Sequence, residues 1–227
     1  MMLASFSDFQ EVDGMGRCII IAPLYQGEEK EWLAPQEGDW LICADGGWDA
    51  AVAHGIRPSM VVGDFDSMPQ SHVQGADVIK LPVHKDDTDM VVCLREGRAR
   101  GYREFILAGC IGGRFDHAVS NLQCLADCAL RGESAWMCDR QNRVTVLSPG
   151  DYVLENIPGR KLSLLAYTEQ VKGVCLTGTL WELQDAELTS RYPLGCSNEI
   201  TAPKAHLHFR EGLLMVMYTQ DLSFVKN

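Results

Sequence analysis

The feature that most limits what this chain can fold into is a change of periodicity near residue 140. Upstream, short apolar runs at 18–22, 41–44, 60–62, 78–81, 105–108 and 135–138 alternate with helical patterns at 48–54, 89–100 and 115–131, which stop at Gly55, Gly101 and Gly132. The third helical stretch is the clearest, with Phe115, Ala118, Val119, Leu122, Leu125, Ala126, Ala129 and Leu130 on one face. Downstream the pattern is all strand, at 144–147, 152–154, 162–167, 174–176, 205–209 and 213–218, separated by Gly, Pro and Asn. The expected fold class is therefore α/β followed by all-β. An N-terminal mostly parallel sheet flanked by helices occupies 17–140, and a C-terminal small antiparallel β-sandwich occupies 143–227. A single mixed α+β domain is the alternative.

With 227 residues, the chain can bury about 70% of its unfolded surface and needs no staple to fold. Its 31 acidic against 20 basic residues give a formal charge of −11, which repels a polyanion, so no nucleic-acid partner is expected. No apolar run approaches the roughly 18 residues of a bilayer span, and the start, MMLASFSDFQEVDG, lacks a basic region followed by an apolar one. The expectation is a cytoplasmic protein without a membrane partner. The nine cysteines form no CxxC pair and read as small buried hydrophobes in a reducing compartment. His206 and His208 alternate with Ala205, Leu207 and Phe209, the pattern of a strand's polar face rather than a zinc site.

In an open parallel sheet, ligands bind outside the carboxyl ends of the strands. Four of the connections that start there are unusual: Asp45-Gly46-Gly47, Gly63-Asp64-Phe65-Asp66-Ser67, Lys85-Asp86-Asp87-Thr88-Asp89, and the segment from Gly109 to His117 containing Gly112-Gly113-Arg114-Phe115-Asp116. Aspartate is common in turns and helix caps, which accounts for any one of these loops but not readily for all four. Carboxylates gathered at one rim repel one another, and a divalent cation resolves the conflict; hard oxygen ligands favour Mg²⁺ or Ca²⁺ over zinc. The spacing around Asp64 and Asp66 is not that of an EF-hand, since the central glycine and terminal glutamate are missing. Gly46-Gly47 and Gly112-Gly113 each lead into a helical stretch, where free N–H groups favour a phosphate. Arg114 adds a bidentate fork and Lys85 a point charge. No GxxxxGK[ST] motif is present. The chemistry implied is metal-assisted phosphoryl or pyrophosphoryl transfer from a nucleotide. A metal-dependent nucleotide hydrolase and a non-catalytic nucleotide sensor are the rival readings.

These motifs, in this order, resemble those of the thiamine pyrophosphokinase family, and Cys196-Ser197-Asn198-Glu199 is similar to its Ser-Asn element. The likeness runs from about Cys18 to Tyr218. It implies an α/β catalytic domain followed by a β-sandwich, Mg²⁺-dependent transfer of pyrophosphate from ATP to the hydroxyl of thiamine, and a homodimer with the substrate site at the subunit interface. By position it implies that Asp64, Asp66 and Asp89 hold the metal with Asp45 close by, and that Lys85 and Arg114 contact phosphates. Asp45, Gly46, Gly47, Gly112, Gly113, Asp116, His117 and Asn121 would border the nucleotide. Trp181, Ser197 and Asn198 would form the thiamine pocket, although Trp181 reads equally as a core aromatic and Ser197-Asn198 as a plain turn. The family pattern is not followed at Leu180, where a basic residue is frequent, or at His84, where an acidic one is.

Overall fold

The computed structural model describes residues 16–28, 32–34, 36–66, 70–82 and 86–221. These residues divide into two compact units, one comprising 16–128 with Glu133–Arg140, the other comprising Ala129–Gly132 and 141–221.

The first unit contains β1 (Cys18–Ile21), β2 (Trp40–Ala44), α1 (Gly47–Ala53), β3 (Met60–Gly63), β4 (Asp77–Lys80), α2 (Asp89–Ala99), β5 (Glu104–Ala108), most of α3 (Phe115–Leu130) and β6 (Ser134–Cys138). The six strands lie in the order β4-β3-β2-β1-β5-β6, and every neighbouring pair is parallel. All residues of β1 and β3 are buried, which is why these strands are continuous Ile and Val runs rather than alternating ones. Crossovers run first to one side of β1 and then to the other. Because such connections are right-handed, they direct α1 to one face and α2 and α3 to the opposite one. Gly97 lets α2 approach the sheet, since a Cβ there would lie 2.7 Å from the Phe105 ring and 2.9 Å from Cys18 Sγ.

In the second unit β7 (Asn142–Leu147), β9 (Lys161–Ala166), β12 (Gly195–Asn198) and β14 (Leu214–Thr219) form one antiparallel set in the order β12-β9-β14-β7. The other set is β11-β10-β13-β8, made of β8 (Gly150–Glu155), β10 (Gln170–Thr177), β11 (Leu183–Thr189) and β13 (Lys204–Phe209). Leu162, Leu164, Leu214, Val216 and Tyr218 from the first set, with Leu154, Val171, Val174, Leu207 and Phe209 from the second, are buried, at alternate positions except across the irregularity between Lys172 and Val174. The Tyr218 hydroxyl donates to the Glu155 carbonyl at 3.1 Å, tying β14 to β8. His206 and His208 share one side of β13, with Ala205, Leu207 and Phe209 buried on the other.

Two strands differ from the sequence expectation, which left 183–198 without an element. β11 is a largely exposed edge strand of sequence LQDAELT, and β12 is the four-residue GCSN. Neither has the alternating apolar residues by which a half-buried strand is recognised. All nine cysteines are free thiols and seven are buried. Among the described residues no helix is long and apolar enough to cross a membrane.

A buried ion pair fixes the entry to β1 against the entry to β2. Arg17 donates its backbone N–H and Nε to Asp39 Oδ1 (2.9 and 3.1 Å) and its NH2 to Oδ2 (2.7 Å), and also to the Ala34 carbonyl at 2.7 Å. Burial pushes the Asp39 carboxyl upward, but the hydrogen bonds from Arg17 and the Gln36 N–H outweigh it and hold its pKa below the ordinary carboxylate range. Asp39→Ala, which leaves the guanidinium uncompensated, should lower stability in urea by about 3 kcal/mol. Since the folded pKa lies below the unfolded value of about 3.9, the contribution is complete above that pH and is lost as pH falls through the folded value. The gap between wild type and variant should therefore be constant above about pH 5 and close on acidification.

Candidate active site

The carboxyl edge of the parallel sheet brings three aspartates together. Parallel pairing of β2 with β3 sets Ala44 beside Val62, so that Asp45 and Gly63 emerge side by side. The Asp45 N–H donates to the Val62 carbonyl at 2.7 Å, and its carbonyl accepts from the Trp48 N–H at 3.2 Å. Asp45 has a left-handed φ of 44°, a conformation aspartate tolerates better than most residues. Gly63 makes this possible: a Cβ there would lie 2.9 Å from Asp45 Oδ1 and 3.0 Å from its Cα. One step further, the Asp66 N–H donates to Asp64 Oδ1 at 3.2 Å around Phe65, whose φ is 60°. One carboxylate oxygen each from Asp45, Asp64 and Asp66 lies within 4.8 Å of the others, with Asp45 and Asp64 half-buried and Asp66 exposed. Three hard anionic oxygens this close suit a small divalent cation, with coordination positions left for water and phosphate.

The remaining acidic loop is arranged differently. Asp89 is the first residue of α2, and the Thr88 hydroxyl caps that helix by accepting from the Val91 N–H at 3.3 Å. Asp89 is not a member of the three-carboxylate group, which contains Asp45 in its place. Lys85, Ser67 and His84 lie outside the described residues.

Of the first glycine pair, Gly46 is the N-cap of α1 and Gly47 its first residue. A Cβ on Gly47 would meet the Ile21 carbonyl oxygen at 2.1 Å, so packing of α1 against the end of β1 already requires glycine there. The second pair lies in the connection from β5 to α3, with φ of 95° at Gly112 and 62° at Gly113. Arg114 follows and is exposed; its Nε and NH2 donate to the two oxygens of Asp116 at 3.1 and 2.7 Å. That fork, helped by the His117 N–H at 3.0 Å, holds the Asp116 carboxyl down at about 2. Asn121, two turns into α3, is buried and donates Nδ2 to the Cys110 carbonyl at 3.0 Å, which anchors the β5–α3 loop. Arg114, His117 and Asn121 thus share a helix end without sharing a function: the first two are exposed and the third braces the turn.

In the second unit Trp181 is 58% exposed and is therefore not a core aromatic. Asn198, 7% exposed, accepts from the Trp181 and Glu199 N–H groups at 3.1 and 2.8 Å and donates to the Trp181 carbonyl at 2.7 Å. Both ends of its amide are engaged, so Asn198 positions the Trp181 loop. Ser197 has a φ of 58°, its N–H donates to Ser163 Oγ at 3.0 Å, and the residue is exposed. Sequence reasoning gave no role to Gly63 or to Thr179, whose hydroxyl also donates to the Trp181 carbonyl at 3.0 Å. The signal for Gly63 was present in the tight Gly63-Asp64 junction.

Comparison with known proteins shows what the chain is similar to. The family model "Thiamin pyrophosphokinase, catalytic domain" matches residues 33–137, and "Thiamin pyrophosphokinase, vitamin B1 binding domain" matches 151–214. A thiamine pyrophosphokinase of Bacillus subtilis is 26% identical over 203 residues, covering 87% of this chain and 91% of that protein. The crystal structure of a thiamin pyrophosphokinase from Geobacillus thermodenitrificans superposes with a TM-score of 0.81 at 28% identity, covering 92% of this chain and 99% of that one. One from Bacillus subtilis superposes with a TM-score of 0.83 at 24% identity, covering 91% of this chain and 100% of that one.

Two substitutions test the construction. Gly63→Ala should displace Asp45 and weaken Mn²⁺ binding, followed by electron paramagnetic resonance, by about tenfold or more while the far-ultraviolet circular dichroism is kept. Asn198→Ala should cost about 3 kcal/mol of stability in urea, because it leaves backbone groups of the Trp181 loop unsatisfied. It should also alter Trp181 fluorescence, measured against a Trp181→Phe background.

Proposed function

The chain belongs to the thiamin pyrophosphokinase family, and from that premise we propose how its residues divide the work of the family's reaction. The protein is an enzyme that transfers a pyrophosphoryl group from ATP to thiamine. The observation that carries the reading of the site is the convergence of Asp45, Asp64 and Asp66 at one sheet edge.

The cofactor is Mg²⁺, for which the hard carboxylate set is suited. Asp64 and Asp66, with Asp45 beside them and Asp89 from the start of α2, are the residues that would hold it. Held by those carboxylates, a divalent ion would supply positive charge to offset the negative charge developing on the transferred group. Arg114, exposed and already oriented by Asp116, offers its fork to a phosphate in place of that carboxylate, and Lys85 supplies a second positive charge. Gly112 and Gly113 let the nucleotide approach the backbone, while Gly46, Gly47, Asp116 and His117 border it and Asn121 braces the turn. The thiamine hydroxyl attacks the β-phosphorus as the bond to the oxygen bridging the α- and β-phosphates breaks. That oxygen leaves with AMP, and Asp66 or Asp89 accepts the hydroxyl proton.

For the acceptor, the thiazolium cation can rest on the exposed Trp181 ring, with Ser197 beside it and Asn198 holding the loop in place. We read residues 17–140 as the catalytic domain and 143–227 as the thiamine-binding domain of a cytoplasmic homodimer. The acidic rim of one subunit and the Trp181 region of its partner then enclose the substrate. Leu180, Trp181, Tyr192 and Leu194 are each more than half exposed, which supports that arrangement.

Incubated with ATP and Mg²⁺, the protein should release AMP only when thiamine is present, as read by liquid chromatography. Equal AMP with and without thiamine would instead indicate hydrolysis. Asp66→Asn should retain the fold and lower turnover at least 100-fold, and a variant turning over at the wild-type rate would remove Asp66 from the mechanism.

A further inference from the structure

The strand order reverses at β1, whose neighbours are β2 on one side and β5 on the other. In an open parallel sheet that reversal opens a crevice between the loops following the two diverging strands. Here those loops are laced together. The Ala22 N–H donates to the Ala108 carbonyl at 2.8 Å, and the Leu24 N–H to the Gly109 carbonyl at 3.0 Å. Gly109 takes a φ of 70°, and a Cβ on it would strike the Tyr25 nitrogen at 2.2 Å. The Leu24 side chain lies over the glycine pair, with its Cδ1 3.2 Å from where a Gly113 Cβ would stand.

Phe115 belongs by periodicity to the apolar face of α3, yet it is 81% exposed, and Leu24 is 43% exposed. Beside Phe115 stands the exposed guanidinium of Arg114, so a flat apolar surface and a phosphate-binding group are offered within one turn of each other. A nucleotide presents that same pairing of an aromatic ring and a chain of anionic groups.

We propose that Leu24 and Phe115 flank the Gly112–Gly113 turn as the apolar seat of the donor nucleotide's purine base. The proposal rests on the ATP-dependent transfer described above and adds the residues that hold the base. Stacking on Phe115 contacts the face of the ring rather than its edge, so this seat selects an aromatic base without strongly discriminating among purines.

The test uses the full-length protein and isothermal titration, with AMP and inorganic triphosphate as separate probes in the presence of Mg²⁺. Phe115→Ala should weaken AMP binding by roughly five- to 100-fold and leave triphosphate binding within about twofold. Phe115→Trp should restore the AMP affinity, and Leu24→Ala should give a smaller loss in the same direction. In turnover assays the KM for ATP should rise while the KM for thiamine stays unchanged. Unaltered AMP affinity in Phe115→Ala would overturn the proposal. So would a rise confined to the KM for thiamine, which would assign the ring to the acceptor. A change in sedimentation with unchanged AMP affinity would assign it to a second copy of the chain. Failure of wild-type protein to form AMP in a thiamine-dependent way would count against the transferase reading, and the calorimetric comparison decides the base seat independently.

Discussion

The mutual repulsion of three carboxylates is the constraint around which the first unit is organised. Asp45, Asp64 and Asp66 each offer an oxygen within 4.8 Å of the others, and two of the three are partly withdrawn from water, where like charges interact more strongly. Parallel register between β2 and β3 puts Asp45 next to Gly63, and a backbone hydrogen bond to Val62 keeps it there. Without the missing side chain at Gly63, the first acid could not stand beside the other two. The sheet therefore supplies the rigidity, the glycine the room, and the unfavourable electrostatics define what kind of ligand the edge will accept.

Much of this arrangement can be read from the sequence because its causes are local. The change from strand-helix alternation to repeated strands follows from side-chain periodicity alone, and the acidic loops after β2 and β3 follow from where short Ile and Val runs end. Other parts depend on partners distant in the chain. Asp45 joins the carboxylate group while Asp89 stays outside it, and only the pairing register and the start of α2 decide between them. Gly47 resembles a phosphate-loop glycine in sequence, yet the Ile21 carbonyl, reached only through the fold, already demands it. Phe115 fits the apolar face of α3 by spacing but stands in solvent, because the core contacts of that helix begin later, around Asn121, Cys124 and Leu125. β11 and β12 carry too little apolar alternation to be seen before their neighbours in the sheets are known.

The second unit shows how a buried polar residue can hold an exposed aromatic in place. A buried amide with unsatisfied ends is costly, so Asn198 is most stable when all of its hydrogen bonds are made inside the protein. They are made to the backbone of the Trp181 loop and to Glu199. The consequence is a large aromatic side chain that remains exposed on a well-held backbone, the opposite of an aromatic in the core. An exposed tryptophan on a braced loop loses little conformational freedom when a flat cation settles on it, which is the economical arrangement for recognising such a ligand.

Backbone strain supplies a line of argument independent of charge. Among the described residues, four non-glycine residues adopt a left-handed φ: Asp45, Phe65, Ser197 and Asp185. Such conformations cost about 1–3 kcal/mol each and persist only where the surroundings impose them. Asp185 has a structural reason, since Arg210 donates to its carboxylate at 2.7 Å beside an irregular stretch of the β10–β11 ladder. Asp45 and Phe65 fall in the connections that carry the candidate ligands and bend the chain so that the carboxylates of those connections turn toward one another, and Ser197, within β12, precedes the residue that holds Trp181. Phenylalanine is a poor choice for such a conformation on conformational grounds alone, so its place between Asp64 and Asp66 is best understood as the cost of aiming two acids from one short loop at the same point. Strain and electrostatic repulsion, two unfavourable terms with different origins, thus coincide at the same edge of the sheet, and a ligand that relieves the second makes the first worth keeping.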